Sequence, residues 1–332
     1  MGIDSIAEKY FGYKTDSGYC FQGRSEDLLQ GSLGKELEGK VQLIITSPPY
    51  PLVKQKKYGN YQGEEYLKWF ASFAPIFAKL LTPDGSIVIE IGNAWEPGRP
   101  VQSLLPLRTL MEFVSNERAG LRLCQQFICH NPARLPSPAE WVTIQRNRVT
   151  DSFTYVWWMS NTDYPKADNR KVLRPYSKSQ LRLMKNKKYN DGERPSGHKV
   201  SEESFFRDHG GSITPNVLEL EPIDDSKELR LPYAAFSFAN TQSRDFFLRE
   251  CRERGIKGHP ARMPLPLASF FINFLTDPGD IVLDPFSGSN TTGFCAERLE
   301  RKWVGVELSE EYIEQSKIRF EELETTIQTL NS

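Results

Sequence analysis

The chain is poor in the residues that staple proteins together or bind metals. Its 332 residues include five cysteines and four histidines. Cys20, Cys124, Cys129, Cys251 and Cys295 form an odd set with no C-x-x-C pair. Neither a disulfide framework nor a zinc site is indicated, no metal is expected, and the thiols read as small buried groups in a reducing compartment. Long apolar runs are missing too; none approaches the roughly 18 residues of a membrane helix. The start MGIDSIAEKYFGYK has no apolar signal segment, and Ile6 stands where a myristoylation pattern requires Ser or Thr. A soluble cytoplasmic protein with no membrane partner is expected. A surplus of charge is also absent: 42 Lys plus Arg face 43 Asp plus Glu, a net charge of −1. Taken alone, that balance argues against a nucleic-acid partner.

What the chain has is enough apolar residue for a core, 39% against 26% charged. At roughly 150 residues per domain, the length allows two domains or one core with a large insertion. Short apolar runs, Val41–Thr46, Ser86–Ile91, Gln126–Cys129, Phe153–Met159, Asp280–Leu283 and Trp303–Val306, each end in polar or turn chemistry. Runs of this kind suit strands covered on both faces. Between them, spacings of three and four predict helices over Glu64–Leu81, Leu265–Leu275 and Thr291–Leu299. Alternating strands and helices predict an α/β fold with a doubly wound, mostly parallel sheet.

The stretch from about residue 163 to 254 breaks this rhythm. Between Pro165 and Lys199 there are 11 Lys plus Arg against Asp168, Asp191 and Glu193, a surplus of eight hidden by the neutral total. A solvated loop could carry such a run, but the interleaved Tyr176, Tyr189, His198, Phe205 and Phe206 favour a nucleic-acid surface. Arg174, Lys178, Arg182, Lys185, Lys187, Lys188 and Arg194 are its candidate contacts.

Two motifs carry chemistry. Ser47-Pro48-Pro49-Tyr50 ends a buried strand. Two prolines stop the sheet ladder and fix an extended backbone, so the Ser47 hydroxyl and the Pro48 carbonyl can accept both N–H bonds of an exocyclic amine. Tyr50 offers a flat face for a planar base. The second motif, Asp284-Pro285-Phe286-Ser287-Gly288-Ser289-Asn290-Thr291-Thr292-Gly293, is a strand, a turn and a helix start. It lacks both the Walker lysine and the full G-x-G-x-x-G pattern, yet matches the layout of a nucleotide-type site. Glu307, ending the next strand, is placed to hold the two hydroxyls of a ribose. His130 has no partner at ligand spacing, and at least one of Trp157 and Trp158 belongs to the core.

With these motifs the chain resembles the amino-group DNA methyltransferases, and among them the N4-cytosine enzymes of restriction–modification systems. The likeness extends through TSPPY, KKYGN, LPSPAEWV, VWWMSNTDYPKAD, KVLRPYS, RPSGH, GGSITPN, HPARMP, GSNTTG and RKW. It implies S-adenosyl-L-methionine as cofactor and a Rossmann-like fold in permuted order, with the catalytic half over residues 1–160, a target-recognition region over 161–254 and the cofactor half over 255–332. A first strand near Tyr19–Gln22 would complete that last half. Ser25, Asp27, Ser47, His259, Asp284, Phe286, Gly288, Ser289, Asn290, Thr291, Thr292 and Glu307 would bind the cofactor, although Arg24 departs from the family pattern and leaves open which of Ser25, Glu26 and Asp27 meets the adenosyl group. His259 would shape the methionine end, or cap or pack a helix.

The resemblance further implies double-stranded DNA as substrate. Its target cytosine would be extruded, with Lys54, Lys56 and Lys57 on phosphates. Ser47, Pro48, Pro49 and Tyr50 would be catalytic, in a direct transfer with no metal and no covalent enzyme intermediate. A monomer would suffice, with a cognate restriction endonuclease as its functional partner. The same fold acting on adenine N6, a catalytically silent DNA-binding module, and an RNA or small-molecule methyltransferase are the competing functions. No residue pattern identifies the group that takes the proton.

Overall fold

Val41–Thr46 is buried at every position, as a strand sandwiched between two helical layers must be. A computed structural model describes residue 6 and residues 9–50, 61–187, 206–219, 246–258 and 262–330. Lys54, Lys56, Lys57, Lys188, Tyr189, Arg194, His198, Phe205 and His259 lie outside the described residues. The strands are β1 (Phe11–Lys14), β2 (Gly18–Gln22), β3 (Val41–Thr46), β4 (Leu81–Gly92), β5 (Arg122–His130), β6 (Phe153–Ser160), β7 (Val217–Glu219), β8 (Ile281–Asp284) and β9 (Lys302–Glu307). The principal helices are α1 (Ser25–Gln30), α2 (Ser32–Leu37), α3 (Gly63–Ala71), α4 (Phe73–Leu80), α5 (Leu105–Val114), α6 (Lys178–Asn186), α7 (Phe246–Glu253), α8 (Leu265–Leu275), α9 (Thr291–Arg298) and α10 (Glu310–Leu330).

One nine-stranded sheet runs β1-β2-β9-β8-β3-β4-β6-β5-β7. β2, β9, β8, β3 and β4 are mutually parallel, whereas β1 and β6 run against their neighbours. The sheet is therefore mostly parallel, with β6 inserted in the opposite sense between β4 and β5. Permutation is visible in one register: Cys20 of the N-terminal β2 sits opposite Gly305 of the C-terminal β9.

Alternation along the strands divides the core. Ile44, Ile87, Ile89 and Trp157 face a layer that includes Leu33, Phe70, Phe73, Phe77 and Phe113 from α2–α5. Leu43, Ile45, Val88 and Trp158 face Phe270, Phe271, Phe294 and Phe320 from α8–α10. Adjacent tryptophans thus serve opposite layers, and both are buried.

One helical expectation needs correcting. The segment predicted as one helix from 64 to 81 is two, because Ser72 ends α3 and Pro75 sits in the first turn of α4. A continuous helix would set the Pro75 ring against the carbonyl of Ala71, four residues back; restarting the helix puts proline where no N–H is needed. Leu81 already belongs to β4.

The expected target-recognition region is stitched onto the sheet. β7 is its edge strand beside β5. Lys166 bonds Asp280 at 2.9 Å, Lys171 bonds Asp277 at 2.5 Å, and the Asp168 amide donates to Phe274 O.

Candidate active site

Parallel strands bring their carboxyl ends to one edge of the sheet, where ligands of such folds bind. Here the ends of β2, β9, β8 and β3 surround a cleft of about 540 Å³, within the range typical of small-molecule sites. One wall consists of Asp284–Ser289 and Glu307; opposite it stand Ser47–Tyr50 with Tyr66 and Trp69, while Gly23–Glu26 contribute from the end of β2. The two motifs, 234 residues apart from Tyr50 to Asp284 in the chain, are thus parts of one cavity.

Backbone chemistry shapes the first wall. The Glu307 carboxylate accepts the Gly288 amide at 2.8 Å through one oxygen and the Ser309 amide at 2.8 Å through the other. Burial raises its pKa, and these amides oppose the rise. Asp284 is turned toward protein: it accepts the hydroxyls of Thr46 at 2.8 Å and Thr292 at 2.7 Å and the Phe286 amide at 3.1 Å. Its pKa is pushed up to about 6 by burial, with the same three donors pulling the other way. This carboxyl ties the end of β3 to the 284–293 turn.

The second wall holds a polar chain. Ser47 Oγ and the Tyr50 hydroxyl are 3.0 Å apart. Ser47 also bonds Glu90, which accepts Thr154 Oγ1 at 2.9 Å. Glu90 is 3% exposed, and desolvation pushes its carboxyl up to about 7, against the hydrogen bonds from Thr154 and Ser47 and the charge of Arg134. The Tyr50 ring lies over Gly92; a Cβ there would meet Tyr50 Cε2 at 3.1 Å, so glycine makes room for the ring.

The DNA methylase family model spanning N6 and N4 enzymes matches residues 41–318, both walls included. This chain belongs to that family. M.PvuII, a type II methyltransferase of Proteus hauseri, is 41% identical over 310 residues, 93% of this methylase and 85% of that protein. Among solved structures, the PvuII DNA methyltransferase (cytosine-N4-specific) is 36% identical with a TM-score of 0.70, covering 94% of this chain and 89% of that one. The M1.HpyAVI–SAM complex, 20% identical with a TM-score of 0.50 and covering 91% and 99% of the two chains, shares the fold.

The methylase brings most of the expected residues together, but not all. Ser25, Ser47, Pro48, Pro49, Tyr50, Asp284, Phe286, Gly288, Ser289, Thr291 and Glu307 line the cleft. Asp27, Asn290 and Thr292 do not. Asn290 is fully buried with φ +52; its side chain accepts the Gly293 amide at 3.0 Å and donates to the Tyr13 hydroxyl at 2.8 Å. It builds the turn from behind. Of the three residues left open after Gly23, Ser25 and Glu26 reach the cleft; Ser25 donates to Pro285 O, and Glu26 accepts Trp69 Nε1 at 2.6 Å.

Three groups escaped the sequence reading. Glu90 was hidden inside the run SIVIEI, where an acid in an otherwise apolar buried strand was the available signal. Tyr66 looked like one more apolar position on a helix, and the Tyr61–Trp69 pair, with centroids 5.5 Å apart, carried no motif. Of the basic candidates, Lys178, Arg182, Lys185 and Lys187 are exposed on and just after α6, whereas Arg174 is half-buried with its backbone paired to Ser212. His130 sits 3.6 Å from Glu219, and no metal-binding cluster occurs among the described residues. No described helix is long and apolar enough to cross a membrane.

Proposed function

We propose that this methylase transfers a methyl group from S-adenosyl-L-methionine to the N4 amine of a cytosine extruded from a specific short duplex DNA sequence. The observation that carries the reading is the Tyr50–Ser47–Glu90 chain facing the Glu307 wall across one cleft. Identity of 36% with the cytosine-N4-specific PvuII DNA methyltransferase across 94% of this chain supports cytosine N4 over adenine N6.

The residues present fit such a cofactor. The Tyr66 and Thr291 hydroxyls line the cleft, buried and without a partner among the described residues, and a buried polar atom left unpaired is costly enough to imply a ligand or water. Glu307 would hold the ribose hydroxyls, Phe286 and Trp69 the adenine, and Ser25 and Glu26 the rim beside them. Bound there, the cofactor supplies a methyl group already activated on a sulfonium.

The chain's own part is to hold the amine and remove its proton. Ser47, donating its hydroxyl to Glu90, keeps a lone pair for one N–H of the target; the Pro48 carbonyl takes the other. Both bonds localise the nitrogen lone pair as attack begins. Tyr50 stacks on the extruded ring. Proton loss passes through the Ser47 hydroxyl to Glu90, whose pKa of about 7 suits an acceptor at neutral pH. Positioning two reactants away from water provides the remaining acceleration.

The enzyme would act as a monomer in the cytoplasm, its modification protecting DNA from a cognate restriction endonuclease. Mass spectrometry of nucleosides from plasmid treated with enzyme and S-adenosylmethionine is the test. N4-methylcytosine is expected and should be lost in Ser47→Ala, which still binds cofactor. N6-methyladenine alone would move the reading to the adenine enzymes, and no methylated base at all would overturn it.

A further inference from the structure

Extruding a base leaves a gap in the stack, and proteins that open DNA commonly fill such gaps with an apolar side chain. We propose that residues 131–152, the loop joining β5 to β6, form the wedge that enters the duplex at the target cytosine, with Leu135 and Val149 as the inserting side chains. The proposal rests on the DNA methylase reading and extends it to a surface outside the basic segment.

The loop is ordered and yet carries its apolar groups outward. Its base is closed by the Asn131 amide on Ser152 O at 2.7 Å and by Arg134 Nη1 on Phe153 O at 3.1 Å. Its arms are joined by the Asp151 amide on Ser137 O, and its tip is folded back by the Asn147 and Arg148 amides on Trp141 O. Arg148 Nη2 also bonds Pro100 O, anchoring the loop to its neighbour. With so many internal bonds, the exposure of Leu135 at 78% and Val149 at 86%, one on each arm, is not the exposure of an unstructured segment. Ile144 at 70% extends the same apolar character toward the tip. A loop that merely linked two antiparallel strands would be short and polar at these positions.

Its position favours DNA as the occupant. Asp151 accepts Asn93 Nδ2 at 3.0 Å and Trp95 Nε1 at 2.8 Å, fixing the loop's root to the residues just after Gly92, on which the Tyr50 ring lies. Arg134, directly before Leu135, is close enough to Glu90 and Tyr50 for its charge to lower the pKa of both. Leu135 therefore follows a residue whose charge is felt at Glu90 and Tyr50. Arg146 and Arg148 are exposed beside Val149, and the loop's acids are Glu140 and the already engaged Asp151. Apolar tips rimmed by guanidinium groups match a base step flanked by phosphates.

The test uses the full chain and a duplex oligonucleotide carrying the methylation site read from modified plasmid, with the target cytosine paired to guanine or set opposite adenine. The double variant Leu135→Ala/Val149→Ala should lower kcat/KM on the paired duplex by about tenfold or more, because opening must then proceed unaided. On the mismatched duplex, already partly open, it should stay within about twofold of wild type, which also shows the variant to be folded. Unchanged rates on the paired duplex, or equal losses on both, would overturn the wedge. Failure of the wild-type enzyme to methylate either duplex would instead refute the functional reading on which it stands.

Discussion

Glu90 is the residue where stability and chemistry pull in opposite directions. Its folded pKa of about 7 lies above the ordinary 4.5 because burial disfavours the ionised form. The folded state therefore holds this proton more tightly than the unfolded chain, so stability is lost as pH rises from about 4.5 through 7, by roughly 3 kcal/mol at full ionisation. Asp284, raised to about 6, adds a loss of the same sign over a lower window. Glu90→Gln removes the larger one. The variant should melt a few degrees higher than wild type at pH 8 and nearly equal to it at pH 5, by calorimetry. Its single-turnover methylation rate should fall on the order of 10²-fold, and the rise in rate through about pH 7 expected for wild type should flatten. A variant that kept both rate and profile would remove Glu90 from the reaction. The sequence could not assign this role: an acid in a strand becomes a proton acceptor only when its neighbours are known, and those neighbours, Ser47 and Thr154, lie 43 and 64 residues away in the chain.

At the scale of elements, the sequence was legible wherever local chemistry decides structure. Every strand run noted there is a strand of the sheet, and α8 spans the same residues as its predicted helix. What was missed depends on position in space. Periodicity ran straight through Ser72 because apolar spacing continues across the break, and only Pro75 marked it. The antiparallel sense of β6 is invisible in a run whose two faces are both covered. Asp27, Asn290 and Thr292 belong to motif segments but are not among the residues that line the cleft. Asn290 shows what such a residue does instead: it caps α9 from a left-handed conformation while holding Tyr13 of β1. Asn290→Ala should lose the cap and force a Cβ-bearing residue without compensation into that conformation, costing roughly 2–3 kcal/mol by denaturant unfolding. Asn290→Gly forfeits the same hydrogen bonds but tolerates the backbone, so it should be the milder change. The reverse order would mean that side-chain volume, not backbone conformation, governs the turn.

At the scale of the molecule, a net charge of −1 describes no part of the surface. Lys166 and Lys171 spend their charge on Asp277 and Asp280, fastening the inserted region to the sheet. The lysines and arginine along α6 do not. Lys178, Arg182 and Lys185, spaced four and three apart, share one exposed helical face, and none pairs with an acid among the described residues. Among the described residues of the basic segment, this helix is the part most directly open to a phosphate backbone. Each phosphate neutralised releases condensed counterions, so the logarithm of affinity falls with the logarithm of salt at a slope of about 0.9 per contact. Arg182→Gln/Lys185→Gln should therefore reduce that slope by about 2 on duplex DNA of any sequence. The loss of affinity should be larger at 50 mM than at 200 mM salt, on the same counterion argument. Binding of S-adenosylmethionine, whose cleft α6 does not line, should be unchanged by calorimetry. An unaltered slope would take α6 off the DNA, leaving attraction to the segments on either side of it.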